Sequence, residues 1–92
     1  MDQKKRIETV KLLLENEKAK EASKVFREIS PENTVQYFML KAKIAQKFQN
    51  WGEAINAFNK VLELDPDHAE AQNNLHLIKN ILNFWNPEMF NP

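Results

Sequence analysis

The two histidines have the widest chemical repertoire of any side chains in this sequence, and their spacing decides which chemistry is open to them. His68 and His76 are eight residues apart, about two helical turns, whereas a metal-binding pair on one helix needs a spacing of about four. The chain has no cysteine, which excludes a thiolate nucleophile, a disulfide and a cysteine-based zinc site. We therefore expect no metal and no cofactor, with His68 in a loop or first helical turn and His76 on a helix surface.

Serine and carboxylate chemistry has equally little support. Ser23 and Ser30 have no histidine near them in the sequence, and neither lies in a G-x-S-x-G motif. The single glycine, Gly52, cannot build a phosphate-binding loop. The acidic residues within positions 65–70 are explained by a helix end followed by a helix N-cap. We predict no catalytic residues, and the protein is not expected to be an enzyme.

The charges of the chain bear on its partners. There are 13 basic and 13 acidic residues, a formal net charge of zero, which argues against a general nucleic-acid-binding protein. Residues 1–30 contain eight Lys or Arg and six Asp or Glu, whereas residues 65–92 contain one and four. Two interpretations stay open. Either the charges are solvated helix faces, or a mildly basic N-terminal half faces an acidic partner or the acidic C-terminal end of another copy.

The hydrophobic segments are short. The N-terminal apolar run stops after Leu14 with no small-residue cleavage site behind it, and no run approaches the roughly 20 residues of a membrane-spanning helix. Ninety-two residues, 42% hydrophobic and 28% charged, are expected to form one soluble domain. We predict a cytoplasmic protein that does not bind membranes.

Helices are the elements that must position the side chains of any site. Apolar residues recur at steps of three and four, and no segment alternates with the period of two that a strand requires. The polar breaks between these stripes predict five helices, at about 3–16, 19–29, 31–49, 51–64 and 68–84. Each is too short to be stable alone in water, so the helices are expected to stack on one another.

Capping residues predict where three of these helices begin. Ser30 is expected to be an N-cap, with Pro31 at the first helical position, where its missing N–H has no cost. The pairs Asn50–Glu53 and Asp67–Glu70 have the spacing of capping boxes, in which the first side chain accepts a backbone N–H and the Glu reaches back.

A repeat relates two parts of the chain. The segment EASKVFREI at 21–29 aligns with EAINAFNKV at 53–61, and a proline follows each. This pattern of a small residue, an aromatic residue, an apolar residue and a proline resembles the second helix of the tetratricopeptide repeat. The best copy is Val35–His68, in which Phe38, Ala42 and Ala45 stand in the family's Trp, Gly and Tyr positions and Ala54, Phe58 and Pro66 match directly.

These positions have a physical meaning. Ala42 and Ala54 are expected to let the paired helices approach closely, while Phe58 fills the wedge between them. In the first copy the proline follows Phe26 by five residues, whereas in the second it follows Phe58 by eight. The second helix of the first copy is therefore expected to end nearly a turn early.

The resemblance implies an all-α fold, a right-handed α-solenoid of helical hairpins with two tetratricopeptide motifs and a C-terminal capping helix. The expected divisions are repeat 1 at about 3–34, repeat 2 at 35–68, the capping helix at about 68–84 and an aromatic tail at 85–92. The capping helix carries polar residues in the family's apolar positions, as expected of a solvent-facing end. The C-terminal ending is similar to that of small bacterial tetratricopeptide proteins.

The resemblance also implies a concave, peptide-binding groove lined by first helices. From the helical phase and the family pattern, its expected side chains are Lys4, Ile7, Lys11, Met39, Lys43, Gln46, Lys47, Asn73, Leu77 and Asn80. Ile7, Met39 and Leu77 have the alternative of packing between helices. The lysines favour an acidic or carboxylate-ended peptide. Docking of a chaperone tail is disfavoured, because Ile7 and Met39 occupy positions where that clamp needs polar residues.

Two functions from different classes follow. The first is a non-enzymatic protein–protein interaction module that binds a protein or peptide segment in the groove. The alternative is a self-assembling structural protein that homodimerises through its aromatic tail, whose large apolar side chains are Phe84, Trp85, Met89 and Phe90. Such a tail can pack back on the capping helix, dock on another molecule or stay free, and we expect it to pack back.

Overall fold

Five α-helices make up the part of the chain that the computed structural model describes, residues 2–85 with the side chains of residues 2–84. They are α1 (Gln3–Glu15), α2 (Ala19–Phe26), α3 (Val35–Lys47), α4 (Trp51–Leu64) and α5 (Ala69–Trp85). Each helix packs on the next, and α1 also packs on α3. Residues 2–85 contain no strand, so the predicted all-α helical-repeat fold is confirmed. Within this range, no helix combines the length and the hydrophobicity needed to span a membrane.

Two apolar cores share helix α3. The first forms around Phe58, which is 0% exposed, and joins Ala42 and Ala54 to Leu75 and Ile78 of α5. The second joins the buried faces of α1 and α2 to the opposite side of α3. The predicted wedge is confirmed, because Phe58, Ala42 and Ala54 are all fully buried in one cluster.

The predicted start of α3 is wrong. The helix begins at Val35, and Thr34 is its N-cap, with the hydroxyl accepting a hydrogen bond from the backbone N–H of Tyr37 at 3.1 Å. Ser30 is held elsewhere: the amide of Gln3 donates to its carbonyl and accepts from its N–H, both at 3.0 Å. A side chain from α1 thus fixes the segment before α3 in a non-helical conformation, which a search for local capping residues does not detect.

Helix α2 is the short member of the set. It ends at Phe26 after eight residues, whereas α4 has 14. The early end is confirmed, but the predicted bound at residue 29 is wrong, because the helix stops three residues sooner. The chain then continues in turns, in which Arg6 donates to the backbone carbonyl of Glu28 at 3.3 Å. Ile29 is buried in the second core and anchors this segment.

Helices α1 and α3 end in the same way, 32 residues apart along the chain. Glu17 and Gln49 each have a positive φ, 60° and 58°. At each end, the N–H groups of two successive residues bond back to carbonyls of the last helical turn, as in the Schellman motif. The turns inside the two helical hairpins are therefore equivalent, which agrees with the offset of the aligned sequence segments.

The two predicted capping boxes are wrong in their details. Asn50 is the N-cap residue of α4, but its side chain accepts no capping hydrogen bond; its amide donates to the carboxylate of Glu53 at 2.8 Å. At the start of α5, Nδ1 of His68, rather than Asp67, accepts the N–H of Ala71 at 3.1 Å. His68 therefore has a structural role at a helix start.

Candidate functional site

A groove of about 410 Å³ lies where α1 and α3, the first helices of the two hairpins, come together with α5. We call it the α1–α3–α5 groove. Its lining residues are Lys11, Leu14 and Glu15 from α1, Leu40, Lys43, Gln46 and Lys47 from α3, and Glu70 and Asn74 from α5. Leu14 and Leu40 are buried and form its apolar base, while the remaining lining residues are polar or charged.

Helical spacing explains why these side chains meet. Lys43, Gln46 and Lys47 are three and four residues apart and so project from one face of α3. Lys11 and Glu15 are four residues apart on α1 and face them across the groove. Lys11, Lys43, Gln46 and Lys47 are the four predicted groove residues that the structure brings together.

One ion pair lies in the groove, and a second lies at its edge. Nζ of Lys43 lies 2.6 Å from Oε2 of Glu70, which connects α3 to α5. Nζ of Lys47 lies 2.8 Å from Oε2 of Glu17, which connects α3 to the turn after α1. Lys11 has no ion-pair partner among residues 2–85. The groove is therefore less basic than a count of its lysines suggests.

The remaining predicted groove residues lie elsewhere. Lys4 and Ile7 line a separate cavity of about 320 Å³ at the start of α1. Met39 is 7% exposed and packs in the core around Phe58, so its assignment to the groove is wrong. Its side chain faces α4 and α5, where burial of an apolar group is more favourable than exposure in a polar groove.

On α5, the groove is lined by different residues from those expected. Asn73, Leu77 and Asn80 are exposed, but the α5 residues that line the groove are Glu70 and Asn74. Sequence reasoning missed Glu70 because its charge was assigned to capping. The four-residue step from Glu70 to Asn74 is the only signal in the sequence that pairs them on one face.

Neither histidine is part of the groove. His68 caps α5, and His76 is exposed on the same helix. Within residues 2–85, no three side chains of His, Asp or Glu come together as a group that could hold a metal ion.

The aromatic tail falls largely outside the described residues. Phe84 is 79% exposed near the end of α5. The side chain of Trp85, together with Met89 and Phe90, lies beyond the described part, so the expectation that the tail packs back on the capping helix stays a prediction.

Comparison with known proteins agrees with this architecture. A family model described as TPR repeat matches residues 49–79, which span α4 and the first part of α5. No curated protein and no solved structure matches the chain. TPR repeats generally mediate protein–protein interactions and are typically non-enzymatic modules. This chain is thus an all-α helical-repeat protein whose residues 49–79 match the tetratricopeptide repeat.

Proposed function

We propose that the protein is a non-enzymatic interaction module whose α1–α3–α5 groove binds a segment of another protein. The observation that supports this proposal is the groove itself: α1, α3 and α5 surround an apolar base with a rim of charged and amide side chains. Such a mixture suits a peptide, because the base can bury an apolar side chain while the rim provides hydrogen bonds to the backbone.

An acidic segment fits the groove better than a basic one. Three lysines line it, against two glutamates. Lys11 in particular has no carboxylate partner among the described residues, so an acidic ligand side chain can pair with it without displacing one. We infer an acidic protein partner. The cytoplasmic location and the absence of nucleic-acid and membrane binding stay predictions.

Replacement of Lys11 tests the groove. Lys11→Glu breaks no ion pair in residues 2–85 and reverses the charge of one side chain in the α1 wall. Lys24→Glu is the matched control, because Lys24 is an exposed lysine of α2 that does not line the groove. We expect partners captured from native lysate, identified by mass spectrometry, to be lost with Lys11→Glu and kept with Lys24→Glu. Equal capture by the two variants would contradict a binding site in this groove.

Homodimerisation through the C-terminal end is a second candidate function. Leu77 is 49% exposed and Phe84 is 79% exposed, and their spacing of seven residues places them on one face of α5. Within the described residues, the main packing partner of α5 is α4. A second copy would bury this apolar face.

Light scattering over a concentration series distinguishes the two functions. The homodimer predicts a mass that doubles as concentration rises, and a shift towards monomer for Leu77→Glu. A mass that stays monomeric at high concentration would contradict the homodimer, and an obligate dimer that covers the α1–α3–α5 groove would contradict peptide binding there.

A further inference from the structure

The two lysines that α3 places in the groove each hold a carboxylate from another part of the same chain. Lys43 pairs with Glu70 of α5 at 2.6 Å, and Lys47 pairs with Glu17 of the turn after α1 at 2.8 Å. Neither carboxylate comes from α3, so both are brought to these lysines by tertiary packing. The two pairs show that each ammonium group can accommodate a carboxylate at hydrogen-bonding distance in this fold.

The spacing of these lysines defines a ligand. Lys43 and Lys47 are four residues apart on one helix, so their attachment points lie about 6 Å apart along its axis. In an extended peptide, alternate side chains point to the same side and lie roughly 6.6 Å apart. Two acidic residues separated by one residue therefore match the two lysines, whereas adjacent acidic residues point to opposite sides.

We propose that the groove selects an extended segment with acidic residues at alternate positions, whose two carboxylates replace those of Glu70 and Glu17 on Lys43 and Lys47. The proposal rests on the proposed function of the groove. In the free protein, Glu17 and Glu70 occupy the positions of the ligand carboxylates and compete with the ligand for them. A segment that pairs with both lysines must displace both glutamates, so the competition acts on that segment most strongly.

The exchange is feasible because the internal pairs are at the surface. The side chains of Glu70 and Glu17 are 51% and 75% exposed, and exposed ion pairs contribute little to stability because water and salt screen them. A displaced glutamate returns to solvent at small cost. The bound segment also gains Lys11, which lines the same groove.

Removal of the internal carboxylates tests the competition. The variants are Glu70→Gln, Glu17→Gln and their combination, which keep the side-chain shape but not the charge. The matched control is Glu63→Gln, because Glu63 pairs with Lys60 at 3.2 Å outside the groove. The probes are short fluorescein-labelled peptides of identical composition, one with a Glu-Leu-Glu core and one with a Glu-Glu-Leu core, measured by fluorescence polarisation at low salt.

We expect each groove variant to bind the Glu-Leu-Glu peptide about two- to fivefold more tightly than the wild type, since fivefold corresponds to about 1 kcal/mol, the upper range of an exposed ion pair. The combined variant should gain more than either single change, and Glu63→Gln should bind like the wild type. The gain should be smaller for the Glu-Glu-Leu peptide and should diminish as salt is added.

The outcomes separate this proposal from the function on which it rests. If the groove variants bound with unchanged affinity and Lys11→Glu abolished binding, the internal glutamates would not compete with the ligand. The groove would still be the binding site. Equal gains for the two peptides would overturn the selection for alternate acidic residues. If neither peptide bound the wild type or any variant, the claim that the groove binds an acidic segment would be wrong. Both this proposal and the acidic partner of the proposed function would then fall.

Discussion

Phe58 is the single residue on which the core around α4 most depends. It is fully buried between α3, α4 and α5. We expect Phe58→Ala to lower the free energy of unfolding by about 3–5 kcal/mol, because the change removes transfer energy and leaves a cavity. That is a large part of the roughly 5–15 kcal/mol of a small domain. Thermal or urea unfolding measures the loss, and a shift of only a degree or two would contradict the packing described for Phe58.

Tyr37 gives a spectroscopic probe of the other core. It stacks on Phe26 with ring centroids 5.1 Å apart, and burial raises its pKa above the usual value of 10.0. A raised pKa means that folding favours the neutral phenol. This contribution to stability is complete below about pH 10 and is lost as pH rises through the folded-state pKa.

The chain has one tyrosine, so tyrosinate absorbance reports on Tyr37 alone. We expect its titration midpoint to lie at higher pH in the folded protein than in the urea-unfolded chain. Tyr37→Phe should remove the absorbance change and the corresponding alkaline loss of stability. Coincident midpoints in the folded and unfolded states would contradict the burial of the phenol.

At the scale of the helices, the ends of α1 and α3 carry backbone strain. Gln49 has a φ of 58°, a left-handed conformation that costs a residue with a Cβ about 1–2 kcal/mol and glycine much less. We expect Gln49→Gly to raise the free energy of unfolding by about 1 kcal/mol, which corresponds to a melting temperature higher by roughly 4–8 °C. Gln49→Ala, the control, keeps the Cβ and should show no such gain.

A lower melting temperature for Gln49→Gly than for Gln49→Ala would contradict the left-handed conformation. The same reasoning applies less cleanly to Glu17, with a φ of 60°, because its carboxylate also pairs with Lys47. Replacement of Glu17 by glycine removes strain and an ion pair together.

At the scale of the whole molecule, α5 is the last helix of the described residues and has exposed apolar side chains. Leu77 and Phe84 are exposed on α5, and the remaining tail residues are expected to contribute apolar surface. Truncation after Phe84 removes Trp85, Met89 and Phe90. If these side chains pack on the domain, their loss should lower the melting temperature by several degrees, at about 25 cal/mol per Å² of apolar surface exposed.

Light scattering of the truncated protein separates packing within one molecule from self-association. A lower melting temperature at a constant monomeric mass supports packing of the tail within one molecule. A wild-type dimer that becomes monomeric on truncation supports self-association through the tail. An unchanged melting temperature and mass would contradict the expectation that the tail packs back.

Much of this protein follows from local periodicity. The number and order of the five helices and the burial of Phe58 with Ala42 and Ala54 were predictable, because the spacing of apolar residues reflects the helical repeat itself. The same regularity places Lys43, Gln46 and Lys47 on one face of α3. These properties depend on residues that are close together in the sequence.

Contacts between residues that are distant in the sequence determined the features that periodicity did not predict. Gln3 bonds to Ser30 across 27 residues, and Ser30 does not cap α3, which begins at Val35. Glu17 and Glu70 pair with the lysines of α3, although the sequence around each glutamate indicates only a helix end or a helix start. Helical periodicity states which residues share a face, but only packing determines what that face meets.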